Sequence, residues 1–267
     1  MGLQVNTNLP ALNAGRQTRE SNRLLTESLQ KLSSGRRINR AADDAAGLAI
    51  AERFSSLVRQ DQQEIGNLQS GISASQIAEG GLSAQQDAVA RIRELAVQAS
   101  NGTLNGDQRN ALNQEAQQLL EQIGTTATDT QFNGQGLLDQ NQSIDLGTEG
   151  GSELELQSST LDSLGLNGVD LSTAEGAAAA IEAADGASEA INANRSTIGA
   201  QVNRFSSAIE QRNTSALNQL EAESNIRDLD IAQAILEKTT NEIRTRSGIA
   251  ALNQARVTPQ SALALLS

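Results

Sequence analysis

The longest regular pattern in the sequence is a stripe of apolar residues between Asp44 and Ala99. These residues recur at steps of three and four, which places them on one face of an α-helix. No proline interrupts the stripe, and at ~1.5 Å rise per residue about 55 residues span roughly 80 Å. A helix this long cannot bury its stripe alone, so other helices or other chains must cover it. The stripe contains Ile50, Phe54, Leu57, Leu68, Ala78, Leu82, Val89, Ile92, Ala96 and Ala99.

Two further helical patterns follow the first one. Asn101-Gly102 is a typical helix stop, and the apolar pattern resumes over residues 107–125 after a short loop, which favours an antiparallel neighbour. A third stripe runs over residues 173–225 and includes Ile191, Ile198 and Phe205. The patterns predict a rod domain, residues 45–225, with antiparallel helices at about 45–100, 107–125 and 173–225.

The period changes to two between residues 131 and 172. Ser143–Leu146 and Glu153–Leu156 alternate polar and apolar residues across a glycine-rich turn, which predicts a β-hairpin. We also expect a turn at Phe132-Asn133-Gly134 and a short strand at Leu137-Leu138 that lead into the hairpin. The predicted fold class is mainly α: a long antiparallel helical rod or coiled coil with a small β-hairpin region.

Both ends of the chain, residues 1–33 and 226–267, carry amphipathic helical patterns. If the two terminal helices pair with each other, an apolar face remains exposed, and such faces usually mark interaction surfaces. The candidate assembly residues are Val5, Leu9, Leu12, Leu25, Leu29 and Leu32 in the first segment, and Ile243, Ile249, Leu252, Leu263 and Leu266 in the last.

A basic linker, residues 34–44, separates the first helix from the second. Gly35 ends the first helix, and acidic residues before the second helix offset the positive end of its dipole. Composition leaves open whether the arginines bind a partner, and it favours simple solvation. The candidate hinge residues are Arg36, Arg37, Asn39, Arg40, Asp43 and Asp44.

The composition argues against enzyme chemistry. The chain has no Cys and no His, which removes the usual zinc ligands and the commonest general base. The carboxylate pairs Asp43/Asp44 and Glu153/Glu155 are more simply a helix cap and a solvated hairpin face. We expect no catalytic, cofactor or metal site.

Charge is distributed unevenly along the chain. The net charge is −12, yet residues 1–60 carry nine Lys/Arg against five Asp/Glu, and residues 110–194 hold fourteen Asp/Glu and no Lys or Arg. Nucleic-acid binding requires a basic face and stacking aromatics, and only three residues are aromatic. No apolar run reaches the ~20 residues of a membrane span. We therefore expect neither nucleic acid nor membrane as a partner.

Several stretches resemble bacterial flagellins in sequence and in order. They are Leu3–Ala14, Leu29–Arg36, Arg37–Asn39, Asp43–Ala51, Arg91–Gln98, Thr130–Gly134 and Asn253–Gln260, with Leu265-Leu266 closing the chain. This sequence departs from the family at the linker, where Ala42 replaces a Lys. Any ion pair that the family makes from that Lys must come from Arg40 or be absent.

The resemblance implies a structural subunit of the extracellular flagellar filament, used for swimming. The paired terminal helices would form the inner core, and the chain looks like a compact member without large outer domains. Export would use the flagellar apparatus without a cleaved signal, with a secretion chaperone on the C-terminal helix. Filament cap and junction proteins would be further partners. The alternative is a hook–filament junction protein of the same superfamily.

The same resemblance implies recognition by a vertebrate Toll-like receptor. The matching residues are Arg91, Leu95, Gln98, Leu112 and Glu115. We expect their main role to be packing between subunits.

Overall fold

A computed structural model describes the backbone of residues 8–264 and the side chains of residues 8–255. Val5, Leu266 and the side chain of Leu263 lie outside these limits. The prediction of a mainly α fold with a small β-hairpin region is confirmed. The described helices are α1 (Leu9–Ser34), α2 (Ala45–Ala99), α3 (Gly106–Asp129), α4 (Ala174–Arg227) and α5 (Ile231–Ala264), and the strands are β1 (Gln131–Phe132), β2 (Gln135–Gly136), β3 (Gln142–Asp145) and β4 (Glu153–Leu156).

The chain divides into two compact units. The central unit is Arg59–Ala216, and the terminal unit comprises the residues up to Val58 and from Leu217 onward. The boundary between them falls within α2 and α4.

Antiparallel packing of helices organises the central unit. Arg195 of α4 pairs with Glu79 of α2, whereas Arg93 further along α2 pairs with Asp185 earlier in α4. Arg91 of α2 also forms an ion pair with Glu115 of α3. Between the helices lies one core of aliphatic side chains and Phe205; its members include Leu82, Ile92, Ile123, Leu154, Leu171 and Ile191.

Two small hairpins follow α3. Strands β3 and β4 pair antiparallel with Ile144 opposite Leu154, which agrees with the predicted alternation. Strands β1 and β2 pair around Asn133-Gly134, where both residues have the positive φ that a tight turn requires. The prediction of a strand at Leu137-Leu138 is wrong. Both leucines are buried. The Leu137 N–H donates to the Thr130 carbonyl oxygen, and the Leu138 carbonyl oxygen accepts the Ser159 N–H, so these are single bonds and not a ladder.

A buried polar side chain holds the segment after β4. The Gln85 side chain donates to the carbonyl oxygens of Ile123 and Ser159, at 3.2 and 2.9 Å. It accepts the Ser159 hydroxyl hydrogen at 2.5 Å. All the polar atoms of this amide have partners, as a buried amide requires.

A second buried polar group lies between α2 and α4 and carries charge. The carboxylates of Asp61 and Glu64 are 5% exposed, and the Arg212 guanidinium lies 3.5 Å from Asp61 Oδ1 and 2.9 Å from Glu64 Oε2. Arg212 also donates to the backbone oxygen of Glu149 in the β3–β4 turn. Asp61 Oδ2 has no hydrogen-bond partner. The Arg212 guanidinium therefore contacts two buried carboxylates and the backbone of the β3–β4 turn.

Candidate functional site

The contact between α1 and α5 is made by small and polar side chains. Asn8 at the start of α1 donates to the carbonyl oxygen of Ala255 late in α5 at 2.7 Å, so the helices are antiparallel. A Cβ added at Gly248 would overlap the Thr18 hydroxyl. This close approach buries polar and small residues, namely Thr18, Ser21, Ser28, Ala234 and Asn241.

Large apolar side chains of the same helices are exposed instead. Leu236 is 69% exposed, and Leu9 and Ile243 are 56% and 59% exposed. In this terminal pair the usual arrangement, with large apolar residues between the helices, is reversed. The exposed set is Leu9, Leu12 and Leu29 on α1 and Ile231, Ile235, Leu236, Ile243 and Ile249 on α5; we call it the outer apolar surface.

The outer apolar surface of α5 has two sides. Successive residues of an α-helix are rotated about its axis by roughly 100°. Leu236 and Ile243 are therefore separated from Ile231 and Ile235 by about 100° around α5. Covering both sides requires more than one neighbouring helix. Sequence reasoning did not include Leu236, although its seven-residue spacing from Ile243 was a usable signal. The predicted residues Leu25, Leu32 and Leu252 are half-buried.

The basic linker is paired with a second segment that sequence reasoning did not identify. Gly35 ends α1 in a left-handed conformation with φ +68°. The Arg37 N–H then donates to the Arg227 carbonyl oxygen at 2.7 Å, and the Leu229 N–H donates to the Gly35 carbonyl oxygen at 3.1 Å. The two linkers thus form a minimal antiparallel bridge.

The two aspartates have different roles at the end of the linker. Asp44 caps α2, because its Oδ1 accepts the Gly47 N–H at 2.9 Å. Asp43 Oδ2 accepts the N–H groups of Asn39 and Arg40, both at 3.0 Å. These two bonds lower the pKa of the Asp43 carboxyl, and the charges of Lys31 and Arg40 lower it further. Among the ion pairs of the described residues, none uses Arg40.

We expect the Asp43 loop to loosen in acid. Its pKa is depressed in the folded chain, so its contribution is present above the unfolded pKa of about 3.9 and is lost as pH falls through the lower folded value. At pH 7, Asp43→Ala removes the acceptor and should speed amide exchange at Asn39 and Arg40 roughly 3- to 10-fold, since one hydrogen bond contributes about 1 kcal/mol. Asp44→Ala is the control and should affect Gly47 instead. Unchanged exchange at Asn39 and Arg40 in Asp43→Ala would contradict the assignment.

The residues predicted for receptor recognition lie on α2 and α3. Arg91 is exposed and forms ion pairs with Glu94 at 2.9 Å and Glu115 at 2.8 Å, and these bonds raise its pKa. Gln98 is exposed and Leu112 is half-buried. Leu95 is 1% exposed and belongs to the core. The structure therefore brings Arg91 and Glu115 together but leaves Leu95 beneath the surface.

Metal sites and membrane spans do not occur in the part of the chain that the structure describes. Within residues 8–255, no group of three or more His, Cys, Asp or Glu side chains could hold a metal ion. No described helix has the length and apolarity needed to cross a membrane.

Similarity to known sequences extends over most of the chain. Residues 5–143 match the bacterial flagellin N-terminal helical region, and residues 181–266 match the bacterial flagellin C-terminal helical region. A flagellin of Halalkalibacterium halodurans is 40% identical over 98% of this chain and 99% of its own length. A flagellar filament 30.7 kDa core protein of Treponema maltophilum is 34% identical over 98% of this chain and 99% of its own length.

Solved structures agree with these sequence matches. The crystal structure of Bacillus cereus flagellin is 29% identical with a TM-score of 0.50, covering 55% of this chain and 88% of that one. A putative flagellar hook-associated protein of Vibrio parahaemolyticus has a TM-score of 0.57 at 15% identity over 70% of this chain and 100% of that one, a likeness of fold alone. Because two family regions and near-full-length relatives coincide with a helical fold of this kind, the chain belongs to the bacterial flagellin family.

Proposed function

We propose that the outer apolar surface is where copies of this chain pack against one another in the flagellar filament. The observation that carries this proposal is the reversed packing of α1 and α5, which places small polar residues between the helices and large apolar residues outside. Burying an exposed Leu or Ile contributes about 1.5–3 kcal/mol. In a homopolymer every neighbour is another copy of the same chain, so another copy is the partner that covers this surface.

The packing is heterologous in this proposal. Each copy presents exposed apolar residues on α1 and on two sides of α5, and these patches differ in sequence. A surface that meets a different surface on its neighbour repeats without closing, which generates a helical filament. The terminal helices form the inner core, and the acidic segment 110–194 lies outside that core.

The outer apolar surface also supports proposals about a chaperone and about export. A lone chain with exposed apolar residues on α5 requires cover before assembly, which supports a secretion chaperone on this helix. We further propose export through the flagellar apparatus without a cleaved signal, followed by contacts with filament cap and junction proteins. The linker residues Arg36 to Asp44 act as the hinge in this proposal.

Recognition by a vertebrate Toll-like receptor is proposed for a smaller set than the resemblance implies. Arg91, Gln98 and Glu115 offer polar atoms at the surface, and Leu112 is half-buried. Leu95 supports this face from the core and does not contact a partner directly. Arg91 and Glu115 are in contact, so a receptor that binds one of these side chains also meets the other.

A hook–filament junction protein is not favoured. The relatives that match nearly the whole chain carry the names flagellin and flagellar filament core protein. The likeness to a hook-associated protein is one of fold.

Seeded polymerisation tests the proposal. Purified full-length chain with filament fragments added should form filaments visible by negative-stain electron microscopy. A variant that ends at Asp230 lacks α5 and should form none, while the helical content of its central unit is kept. A full-length chain that stays monomeric after seeding would refute the proposal.

A further inference from the structure

A cavity of about 800 Å³ lies beside the basic linker, within the terminal unit. One wall is the second half of α1, and the other is the linker from Arg37 to Asp44. We call it the linker pocket. Its lining includes Arg23, Glu27, Lys31, Ile38, Arg40 and Asp43.

The walls of the linker pocket are held in place from several sides. Ile38 is 1% exposed and anchors the linker, and a Cβ added at Gly47 would meet Ile38 and Asp44. Asp43 fixes the turn through two backbone N–H groups. The bridge from Arg36 to Asp228 holds the linker from the other side. The pocket is therefore formed before any partner arrives.

The carboxylates that line the linker pocket already have partners. Glu27 pairs with Lys31 at 2.9 Å and with Arg23 at 3.5 Å. Asp43 and Asp44 accept backbone N–H groups. Arg40 is exposed, and within the described residues its guanidinium is in no ion pair. One cation of the pocket is thus available to an anion from outside.

The central unit and the terminal unit, which contains the linker, carry opposite net charges. The central unit has seven Arg and twenty-one Asp/Glu, a net charge of −14, whereas the terminal unit has a net charge of +2. Five of the seven arginines are used inside the central unit: Arg91, Arg93, Arg109, Arg195 and Arg212. Most of its carboxylates are left without a cation of their own.

We propose that the linker pocket receives a carboxylate side chain from another copy of this chain, contributed by residues 110–194, and that Arg40 binds it. The inference rests on the proposed function, because it assumes packed copies. A guanidinium binds a carboxylate in a two-point geometry that also fixes direction. The pocket therefore sets the register of each added copy, while the outer apolar surface contributes most of the free energy.

Carbodiimide cross-linking tests the proposal directly, because Lys31 and Lys238 are the only lysines in the sequence. Arg40→Lys adds one amine in the linker pocket that can be joined to a touching carboxylate. Filaments of this variant, grown from a mixture of ¹⁴N- and ¹⁵N-labelled chains, should yield cross-links between the introduced amine and an acidic residue of 110–194. Mass spectrometry should find mixed isotopes in these cross-links. Arg19→Lys, which adds an amine on α1 outside the pocket, is the control and should yield none to that segment.

A kinetic experiment provides an independent readout. Arg40→Glu should slow filament elongation about 5- to 10-fold at low ionic strength, and the difference should shrink at ~1 M salt, where the Debye length is about 3 Å. Arg19→Glu should change the rate less than twofold. Equal rates for Arg40→Glu and the unmodified chain at low salt would overturn the proposal.

The outcomes separate this proposal from the proposed function. If the unmodified chain forms no filaments, the proposed function fails. If filaments form but the amine introduced by Arg40→Lys joins no carboxylate, or joins only Asp43 or Asp44 of its own chain, the proposal about the pocket fails. Inorganic phosphate provides the last outcome. If the unassembled chain binds phosphate, Arg40→Glu abolishes that binding, and filaments of Arg40→Lys give no cross-link, the pocket is a site for free anions and the proposal is overturned.

Discussion

Replacing Arg212 with leucine is expected to lower the free energy of unfolding of the central unit by about 3–5 kcal/mol. The change removes the one cation that contacts both buried carboxylates, Asp61 and Glu64. Buried charges without a partner carry a large desolvation penalty. The β3–β4 turn also loses the bond from Arg212 to the backbone oxygen of Glu149. Guanidinium chloride unfolding of the monomer, followed by circular dichroism, measures the loss.

Two further variants identify the cause of the Arg212 effect. Arg204→Leu, which replaces an exposed arginine on the same helix, should change stability by less than about 0.5 kcal/mol. The triple variant Asp61→Leu, Glu64→Met, Arg212→Met should recover most of the loss, since apolar replacement of a whole buried ion group is often neutral or stabilising. A triple variant as unstable as Arg212→Leu would show that packing, and not unpaired charge, causes the effect.

The double variant Ile235→Ala, Ile243→Ala is expected to raise the critical concentration for polymerisation about 30- to 150-fold. Each change removes about three methylene equivalents at ~0.8 kcal/mol each, and roughly half of each side chain is exposed in the single chain. The two together cost about 2–3 kcal/mol of assembly free energy, and about 1.4 kcal/mol corresponds to a factor of ten. Sedimentation of filaments over a dilution series gives the critical concentration.

The matched control keeps the same positions apolar. Ile235→Val, Ile243→Val removes one methylene from each side chain and should raise the critical concentration less than about tenfold. Both double variants should unfold as monomers within about 0.5 kcal/mol of the unmodified chain, because these residues lie at the surface. An unchanged critical concentration in the alanine variant would exclude Ile235 and Ile243, which lie on the two sides of α5, from the contact between copies.

Periodicity predicted the helices of the central unit well, because large apolar residues face its core. The stripe from Leu68 to Ala99 is buried in the structure largely as expected. The same reasoning did not predict the charged group at Asp61 and Glu64. These residues lie in the gap of the stripe between Leu57 and Leu68. No local pattern shows that Arg212, far along the chain, packs against them.

The terminal helices show a different limit of sequence reasoning. Their apolar spacing correctly suggested helices with exposed faces, but it could not show which face meets the partner helix. Thr18, Ser21 and Asn241 form that contact because small side chains let the backbones approach closely at Gly248.

The hairpin region shows what short patterns can and cannot predict. Asn133-Gly134 was a sufficient signal for the tight turn, because asparagine and glycine are the residues that most readily adopt a positive φ. The paired leucines at 137–138 suggested a strand only through their apolar character. Their burial comes from packing against the core of the central unit and not from a ladder of backbone bonds.

The bridge between Gly35–Arg37 and Arg227–Leu229 makes the two linkers one mechanical element. Because backbone bonds join them, the two segments must move together or break those bonds. A twist applied to α1 is consequently transmitted also to the segment before α5. Bending the two joined linkers therefore costs more free energy than bending two independent segments. A protease that cuts only one of the two segments should leave the pieces held together until the second is opened.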